Sequence, residues 1–180
     1  DLNGKLRDLT PGPHESPVFS LGGDRNYDIS PDGRRLVFAS KRVPNPAEST
    51  NADLFLQNLG ENITPGSARN LTAANEAWDG APRFSPDGKK IAYLSQRVPG
   101  FESDLFRIAV VDPATGEAKL LTDRNMFDNW ANEVRWSADG TAVFFTAQEK
   151  GETPLYRFTP SAGRFDRLIA HAALDDLSVD

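Results

Sequence analysis

The 180-residue sequence predicts an all-β protein made of about three four-stranded antiparallel sheets. The first observation is a repeated turn: Ser30-Pro31-Asp32-Gly33 recurs as Ser85-Pro86-Asp87-Gly88 and, with one change, as Ser137-Ala138-Asp139-Gly140. The second is that each copy lies between two short apolar, β-branched and aromatic runs, as in a β-hairpin. The third is that these runs have no helical periodicity.

Each turn joins the first and second strands of a unit of four predicted strands. The turns are 55 and 52 residues apart. Asp-Gly suits a hairpin because both residues tolerate the positive φ that a tight turn requires. The first strands are predicted at 26–29, 81–84 and 133–136, and the second at 35–40, 90–95 and 142–146. The third follow at 53–57, 104–111 and 154–158, and the fourth at 69–72, 119–122 and 166–169.

A period near fifty with four strands per unit is the signature of a β-propeller. The predicted blades are residues 23–72, 73–122 and 123–170. Residues 1–22 are expected to hold the outer strand of a preceding blade and a linker, and residues 171–180 the start of the next blade. Because propellers have about four to eight blades, we expect a partial β-propeller: a segment of a larger ring, or a chain that must associate to close.

The composition excludes several classes of partner and chemistry. Lys and Arg number 20 against 26 Asp and Glu, a net charge of −6 that has the wrong sign for nucleic acid. No apolar run approaches the length of about eighteen residues that a membrane span needs. The absence of cysteine excludes disulfides, thiolate zinc sites and cysteine nucleophiles.

Motifs for catalysis are missing as well. The sequence has two histidines, no Gly-x-Ser-x-Gly elbow, and no HExxH, P-loop or GxGxxG motif. We therefore predict no catalytic residue, no metal site and no cofactor in this chain, and no peptidase turnover by the chain alone.

The second unit carries a resemblance to a known family. Its hairpin FSPDGKKIAYLSQR and the following DLFRIAVVDPATGEAKLLTD resemble the repeat shared by the Tol-system propeller protein and the prolyl oligopeptidase family. Residues 77–82, 97–107 and 144–156 resemble the propeller of dipeptidyl peptidase V and acylaminoacyl peptidase-like enzymes. The similarity runs across nearly all 180 residues.

The resemblance implies a function. In that family the propeller caps a C-terminal α/β-hydrolase domain with a Ser, Asp and His triad, excludes large folded proteins, and holds the N-terminal end of short peptides. We therefore expect the substrate-gating propeller of a serine peptidase, without its hydrolase domain, in the periplasm or secreted, with a cytoplasmic location left open. Two alternatives stay open: a non-catalytic, protein-binding periplasmic propeller of the Tol type, and a scaffold that closes as a homo-oligomer.

The repeat predicts which loops bind substrate. Because the Asp-Gly turns join first and second strands, the more irregular loops lie on the opposite face, and such loops on a rigid scaffold carry function. They are residues 42–52, 97–103, 148–153, 73–80 and 123–132. Glu102 is the candidate anchor for a peptide α-amino group, with Phe101 and Arg97 beside it, although an exposed glutamate in a polar loop fits the same pattern. Arg97 recurs as Arg42 before Val-Pro, and inter-blade packing or ion pairing explains a repeated arginine more readily than carboxylate recognition. Asp104, which recurs as Asp53, is interpreted as a turn residue.

The three tryptophans have different predicted places. Trp136 occupies the position of Phe84 and Ile29 before the repeated turn, so we expect it in the core. Trp78 and Trp130 lie in loops that lead into first strands. They are candidates for lining a peptide cavity, and sealing the space between blades is an equally good interpretation for such large amphipathic rings.

Overall fold

The computed structural model describes residues 6–15, 26–60, 63–174 and 176–179. These residues form twelve β-strands and one turn of 3₁₀ helix at Pro46–Glu48. None of the described residues is in an α-helix, and no helix among them is long and apolar enough to cross a membrane. The predicted all-β class is confirmed.

The strands form three four-stranded antiparallel sheets, each in sequential order. The first sheet contains β1 (Tyr27–Ile29), β2 (Arg35–Ser40), β3 (Asp53–Asn58) and β4 (Arg69–Asn70). The second contains β5 (Asp79–Phe84), β6 (Ile91–Ser95), β7 (Arg107–Val111) and β8 (Ala118–Leu120). The third contains β9 (Ala131–Trp136), β10 (Val143–Ala147), β11 (Leu155–Thr159) and β12 (Arg164–Ile169).

The strand β7 begins three residues later than the sequence predicts. The third strand of the second sheet was expected from residue 104, but β7 begins at Arg107. The cause is Asp104, whose carboxylate accepts hydrogen bonds from the backbone N–H groups of Leu105 and Arg97. These bonds hold the chain in a turn and delay its entry into the sheet.

The flanking strands expected in residues 1–22 and 171–180 stay a prediction, because the structure describes these segments only in part. Residues 6–10 and 176–179 carry no strand. The blade boundaries after residues 72, 122 and 170 stay a prediction. Parts of the expected first segment and first blade, at residues 1–5 and 16–25, lie outside the described residues.

The repeated turns are closed by their own side chains. In the second sheet, the Gly88 N–H donates to the Ser85 carbonyl at 2.8 Å, and the Ser85 hydroxyl donates to Asp87 Oδ1 at 2.7 Å. Asp87 Oδ1 also accepts the Lys89 N–H at 3.0 Å, and Ser85 Oγ accepts the Lys90 N–H at 2.9 Å. Only the glycine has a positive φ, of 67°, while the aspartate contributes its side chain. Equivalent bonds close the other turns at Ser30, Asp32 and Gly33 and at Ser137, Asp139 and Gly140.

The core lies between successive sheets, and the second sheet is buried on both faces. On β6, Ile91 and Tyr93 pack against the first sheet, while Ala92 and Leu94 pack against the third. Successive side chains of a strand point to opposite faces, so this strand supplies two separate cores. The first strands β1, β5 and β9 lie beside one another, as expected for the inner strands of propeller blades.

Trp136 lies in the core, as the repeat predicts. Its side chain is 7% exposed and belongs to the cluster between the second and third sheets. The indole Nε1–H donates to the carbonyl of Arg83 on β5 at 3.0 Å. A buried indole normally finds such a partner, and this one joins two neighbouring inner strands.

Candidate peptide-binding face

Antiparallel order separates two kinds of connection. The repeated turns join first and second strands on one side, which we call the turn face. The connections from second to third strands, and from fourth strands to the next first strand, lie on the opposite side, which we call the loop face. The loop face comprises residues 42–52, 97–103, 148–153, 71–78 and 121–130.

Asp104 organises the central loop of this face, residues 97–103. Its carboxylate is 3% exposed and accepts the backbone N–H groups of Arg97 at 2.7 Å and Val98 at 3.1 Å. It also binds the Arg107 guanidinium through both oxygens, at 2.9 and 3.1 Å. Burial alone would raise the pKa of Asp104, but the Arg107 and backbone hydrogen bonds outweigh it and hold the pKa at about 2. The interpretation of Asp104 as a turn residue fits this role.

Gln96 holds the other end of the same loop. Its side chain is 3% exposed, and its Nε2 donates to the carbonyls of Glu102 at 2.9 Å and Asp104 at 2.8 Å. Within the loop, the Gly100 N–H donates to Thr50 Oγ1 at 2.9 Å, which ties it to the neighbouring loop of the first sheet. The two buried side chains of Asp104 and Gln96 therefore hold both ends of the loop backbone.

The three predicted site residues of this loop all point away from those bonds. Arg97 and Glu102 are exposed, and Phe101 is 50% exposed. No hydrogen bond or ion pair of the Glu102 carboxylate is found among the described residues. A rigid backbone that presents an exposed carboxylate beside an exposed ring is suited to contact a peptide amino group and its first side chain.

The two predicted tryptophans are brought together by a third aromatic residue. Phe106 lies between them, with ring centroids 5.0 Å from Trp78 and 5.3 Å from Trp130, and all three side chains are partly buried. The carbonyl of Phe106 accepts the N–H of Ala131, at the start of β9. Trp78 lies directly over Gly80, where an added Cβ would be 2.2 Å from the indole ring. The row Trp78–Phe106–Trp130, which we call the aromatic row, thus crosses the seam between the second and third sheets.

Part of the aromatic row also packs on the core. Trp78 and Phe106 contact the cluster between the second and third sheets, whereas Trp130 does not belong to that cluster. Trp78 and Phe106 therefore seal the seam. Trp130 contributes the part of the row that is least committed to the core.

A backbone bond connects the aromatic row to the loop at 97–103. The N–H of Gln96 donates to the carbonyl of Trp78 at 2.8 Å. The predicted site residues therefore form two groups, one at Arg97, Phe101 and Glu102 and one at Trp78 and Trp130, joined through Gln96. Among the described residues, no group of three His, Asp or Glu side chains is arranged to hold a metal ion.

Sequence reasoning missed Phe106 and Gln96. Phe106 occupies the repeat position of Phe55, which is buried in the first sheet, so its sequence context resembled that of a core residue. Gln96 follows a buried strand with no motif around it, and its role depends on contacts across the loop. Phe55 lies within β3, whereas Phe106 lies in the turn that precedes β7. This difference depends on the hydrogen bonds of Asp104, which the sequence does not reveal.

The fold and this face define a β-propeller segment with a candidate peptide-binding side. Over 165 residues the chain is 33% identical to dipeptidyl-peptidase 5 of Porphyromonas gingivalis, covering 90% of this chain and 23% of that protein. Over 186 aligned residues it is 33% identical to dipeptidyl-peptidase 5 of Arthroderma otae, covering 99% of this chain and 25% of that protein. The chain thus spans about a quarter of the length of these relatives. The predicted resemblance is confirmed: this chain is homologous to a segment of dipeptidyl-peptidase 5.

Solved structures confirm the propeller fold. TolB from Acinetobacter baumannii has a TM-score of 0.55 and 25% identity, covering 79% of this chain and 31% of that chain. A puromycin hydrolase has a TM-score of 0.54 and 23% identity, covering 78% and 21%. The β-propeller domain of the Trilobed protease from Pyrococcus furiosus has a TM-score of 0.53 and 19% identity, covering 79% and 40%. No protein-family model matches the chain.

Proposed function

We propose that this chain is the substrate-gating propeller portion of a larger serine peptidase of the prolyl oligopeptidase family, and that its loop face holds short peptides. The observation that carries the proposal is the homology to dipeptidyl-peptidase 5 over 90 to 99% of the chain. The partner in this proposal is an α/β-hydrolase domain with a Ser, Asp and His triad, which would cleave the peptide.

The loop face has the chemistry that this role needs. The exposed carboxylate of Glu102 would accept charge-assisted hydrogen bonds from the α-amino group of the peptide. Phe101 and the exposed part of Trp130 would contact apolar side chains, and Arg97 would attract a carboxylate or carbonyl further along. Because buried bonds of Asp104 and Gln96 fix the loop backbone, little ordering entropy is lost on binding.

Calorimetric titration of the 180-residue chain tests this role for Glu102. A tripeptide with a free amino group and its N-acetylated form are compared in the wild type and in Glu102→Gln. We expect Glu102→Gln to weaken binding of the free-amino peptide by about tenfold, as for the loss of a charge-assisted bond, and to leave the acetylated form unchanged.

Glu117→Gln is the matched control, since Glu117 is an exposed glutamate near the turn face. It should bind both peptides as the wild type does. Equal weakening of both peptides by Glu102→Gln would remove Glu102 from the site.

The fold likeness to TolB supports a second candidate, a non-catalytic propeller that binds proteins. The sequence relatives favour the peptidase role, because identity to dipeptidyl-peptidase 5 is 33% against 25% for TolB. The Tol-like role would be favoured if no short peptide binds to the chain and if adding a hydrolase domain produces no peptide cleavage. Sedimentation at several concentrations would test the self-associating scaffold. The periplasmic or secreted location stays a prediction.

A further inference from the structure

A buried carboxylate lies beneath the loop face, at the seam between the first and second sheets. Asp79, the first residue of β5, is 0% exposed, and its backbone N–H donates to the carbonyl of Ala52 at 2.8 Å. Its Oδ1 accepts the Asn75 Nδ2–H at 2.9 Å. Its Oδ2 is buried and has no hydrogen-bond partner among the described residues. A buried polar atom without a partner is costly, which makes Asp79 an unusual choice for a purely structural position.

A chain of hydrogen bonds leads from Asp79 to the candidate site. The same Asn75 amide group donates to the carbonyl of Gln96 at 2.9 Å. Gln96 in turn donates through its Nε2 to the carbonyl of Glu102 and through its backbone N–H to the carbonyl of Trp78. Asn75 and Gln96 therefore link Asp79 to Glu102, while Trp78 directly precedes Asp79 in the chain.

The surroundings of Asp79 bring the pKa of its carboxyl group close to neutral pH. Asp53 on β3 adds a second buried carboxylate, and Tyr93 on β6 lies within electrostatic reach. Burial is the largest effect on the pKa of Asp79. Together with the charge of Asp53 it raises the pKa to about 7, against the opposing effect of the nearby polar side chains of Ser95, Asn75 and Thr72. No positively charged group is among these influences. Arg97 acts on Tyr93 instead, and lowers the pKa of that phenol.

We propose that Asp79 is a positioning residue for the loop at 97–103, and that its protonation state sets the position of Glu102 through Asn75 and Gln96. The ionised carboxylate holds the Asn75 amide by a charge-assisted bond, which is the stronger form. The protonated carboxyl holds it less strongly and supplies an O–H donor at the otherwise unpartnered Oδ2. This inference rests on the proposed function only for its consequence, namely that peptide affinity changes with pH.

A pH titration of the 180-residue chain by NMR tests the coupling without any peptide. We expect the amide signals of Asn75, Gln96 and Glu102 to move with one common midpoint near neutral pH. In Asp79→Asn, which keeps an acceptor for Asn75 and cannot ionise, this common movement should be lost. Asp87→Asn, the same change in a repeated turn, should leave it intact.

Asn75→Ala provides a second route to the same answer. It interrupts the chain of bonds, so the amide of Asp79 should still titrate while those of Gln96 and Glu102 no longer follow. A wild-type chain in which Gln96 and Glu102 do not respond, or an Asp79→Asn chain in which they still do, would overturn the proposal.

Peptide affinity is measured as a separate readout. For the free-amino tripeptide, the Kd is measured at pH 6 and at pH 8. We expect the ratio of these two values to differ by about fivefold between the wild type and Asp79→Asn, a typical size for coupled sites. The amino group of the peptide titrates equally in both titrations, so it cancels from the comparison. If no peptide binds, the proposed function fails while the NMR titration still decides the role of Asp79.

Discussion

Replacing Ala138 by proline should stabilise the protein. Ala138 is the one departure from the Ser-Pro-Asp-Gly pattern, and its turn forms the same bonds as the other two, with the Gly140 N–H 2.8 Å from the Ser137 carbonyl. Proline is favoured at the second position of such a turn because its ring fixes φ near the value that this position requires. Among the described residues the N–H of Ala138 donates no hydrogen bond, and Ala138 lines a cavity of about 340 Å³ that leaves room for the ring.

The expected gain in stability comes from the unfolded chain, which has fewer accessible conformations when it contains the proline. Restricting one backbone φ at a compatible position raises the free energy of unfolding by about 0.4–1 kcal/mol. For a protein of this size that corresponds to an increase in Tm of about 1–4 °C. Urea denaturation followed by tryptophan fluorescence measures the difference directly.

The matched control is Ala138→Gly, which loosens the unfolded chain and should lower stability by a similar amount. A destabilisation of more than about 1 kcal/mol by Ala138→Pro would show that the backbone at this turn differs from that at Pro31 and Pro86, and would refute the reasoning.

Phe145→Ala should lower the free energy of unfolding by about 3–5 kcal/mol, because Phe145 is 0% exposed between the second and third sheets, whereas Leu168→Ala, at 45% exposure, should change it by less than about 0.5 kcal/mol. Asp79 binds its proton more tightly when folded, so stability should fall as pH rises from about 4 to about 7, by at most about 4 kcal/mol. Denaturation at pH 5 and pH 8 should show the larger part of this loss in the wild type and a smaller change in Asp79→Asn, in which Asp53 is the remaining buried carboxylate with a raised pKa. Arg107→Leu should raise the pKa of Asp104 well above its present value of about 2, measured from the carboxyl carbon by NMR; a pKa that stays near 2 would assign the effect to the backbone N–H groups alone.

The strands were predictable because their signals are local. The turn residues, the alternation of apolar and polar positions and the spacing all belong to segments of a few residues, and β2 (Arg35–Ser40) lies where the sequence placed it. The predicted start of β7 was wrong because the Asp104 carboxylate accepts hydrogen bonds from Arg97 and Arg107, on the two sides of a loop. No local pattern encodes a bond of that kind.

The candidate site was predictable only in part for the same reason. Arg97, Phe101 and Glu102 share one loop, so their proximity follows from the chain itself. The approach of Trp78 to Trp130 depends on Phe106 and on how two sheets pack. The raised pKa of Asp79 depends on burial between sheets, which composition and spacing do not reveal.

Asp53 and Asp104 show how one repeat position acquires two chemical roles. Both begin the sequence Asp-Leu-Phe, and both are buried. Asp104 is followed three residues later by Arg107, and its pKa is lowered to about 2. Asp53 has Leu56 at that position, its partners are the neutral side chains of Asn70 and Thr72, and burial raises its pKa.

The consequence concerns where function can arise in such a repeat. The turn face keeps the same Ser, Asp and Gly bonds in all three copies, because the geometry of the hairpin requires them. On the loop face the backbone accepts different partners at equivalent positions. In the second sheet the arginine closes a rigid loop that presents Glu102. In the first sheet no such arginine follows Asp53, and the charge of Asp53 adds to the burial that raises the pKa of Asp79.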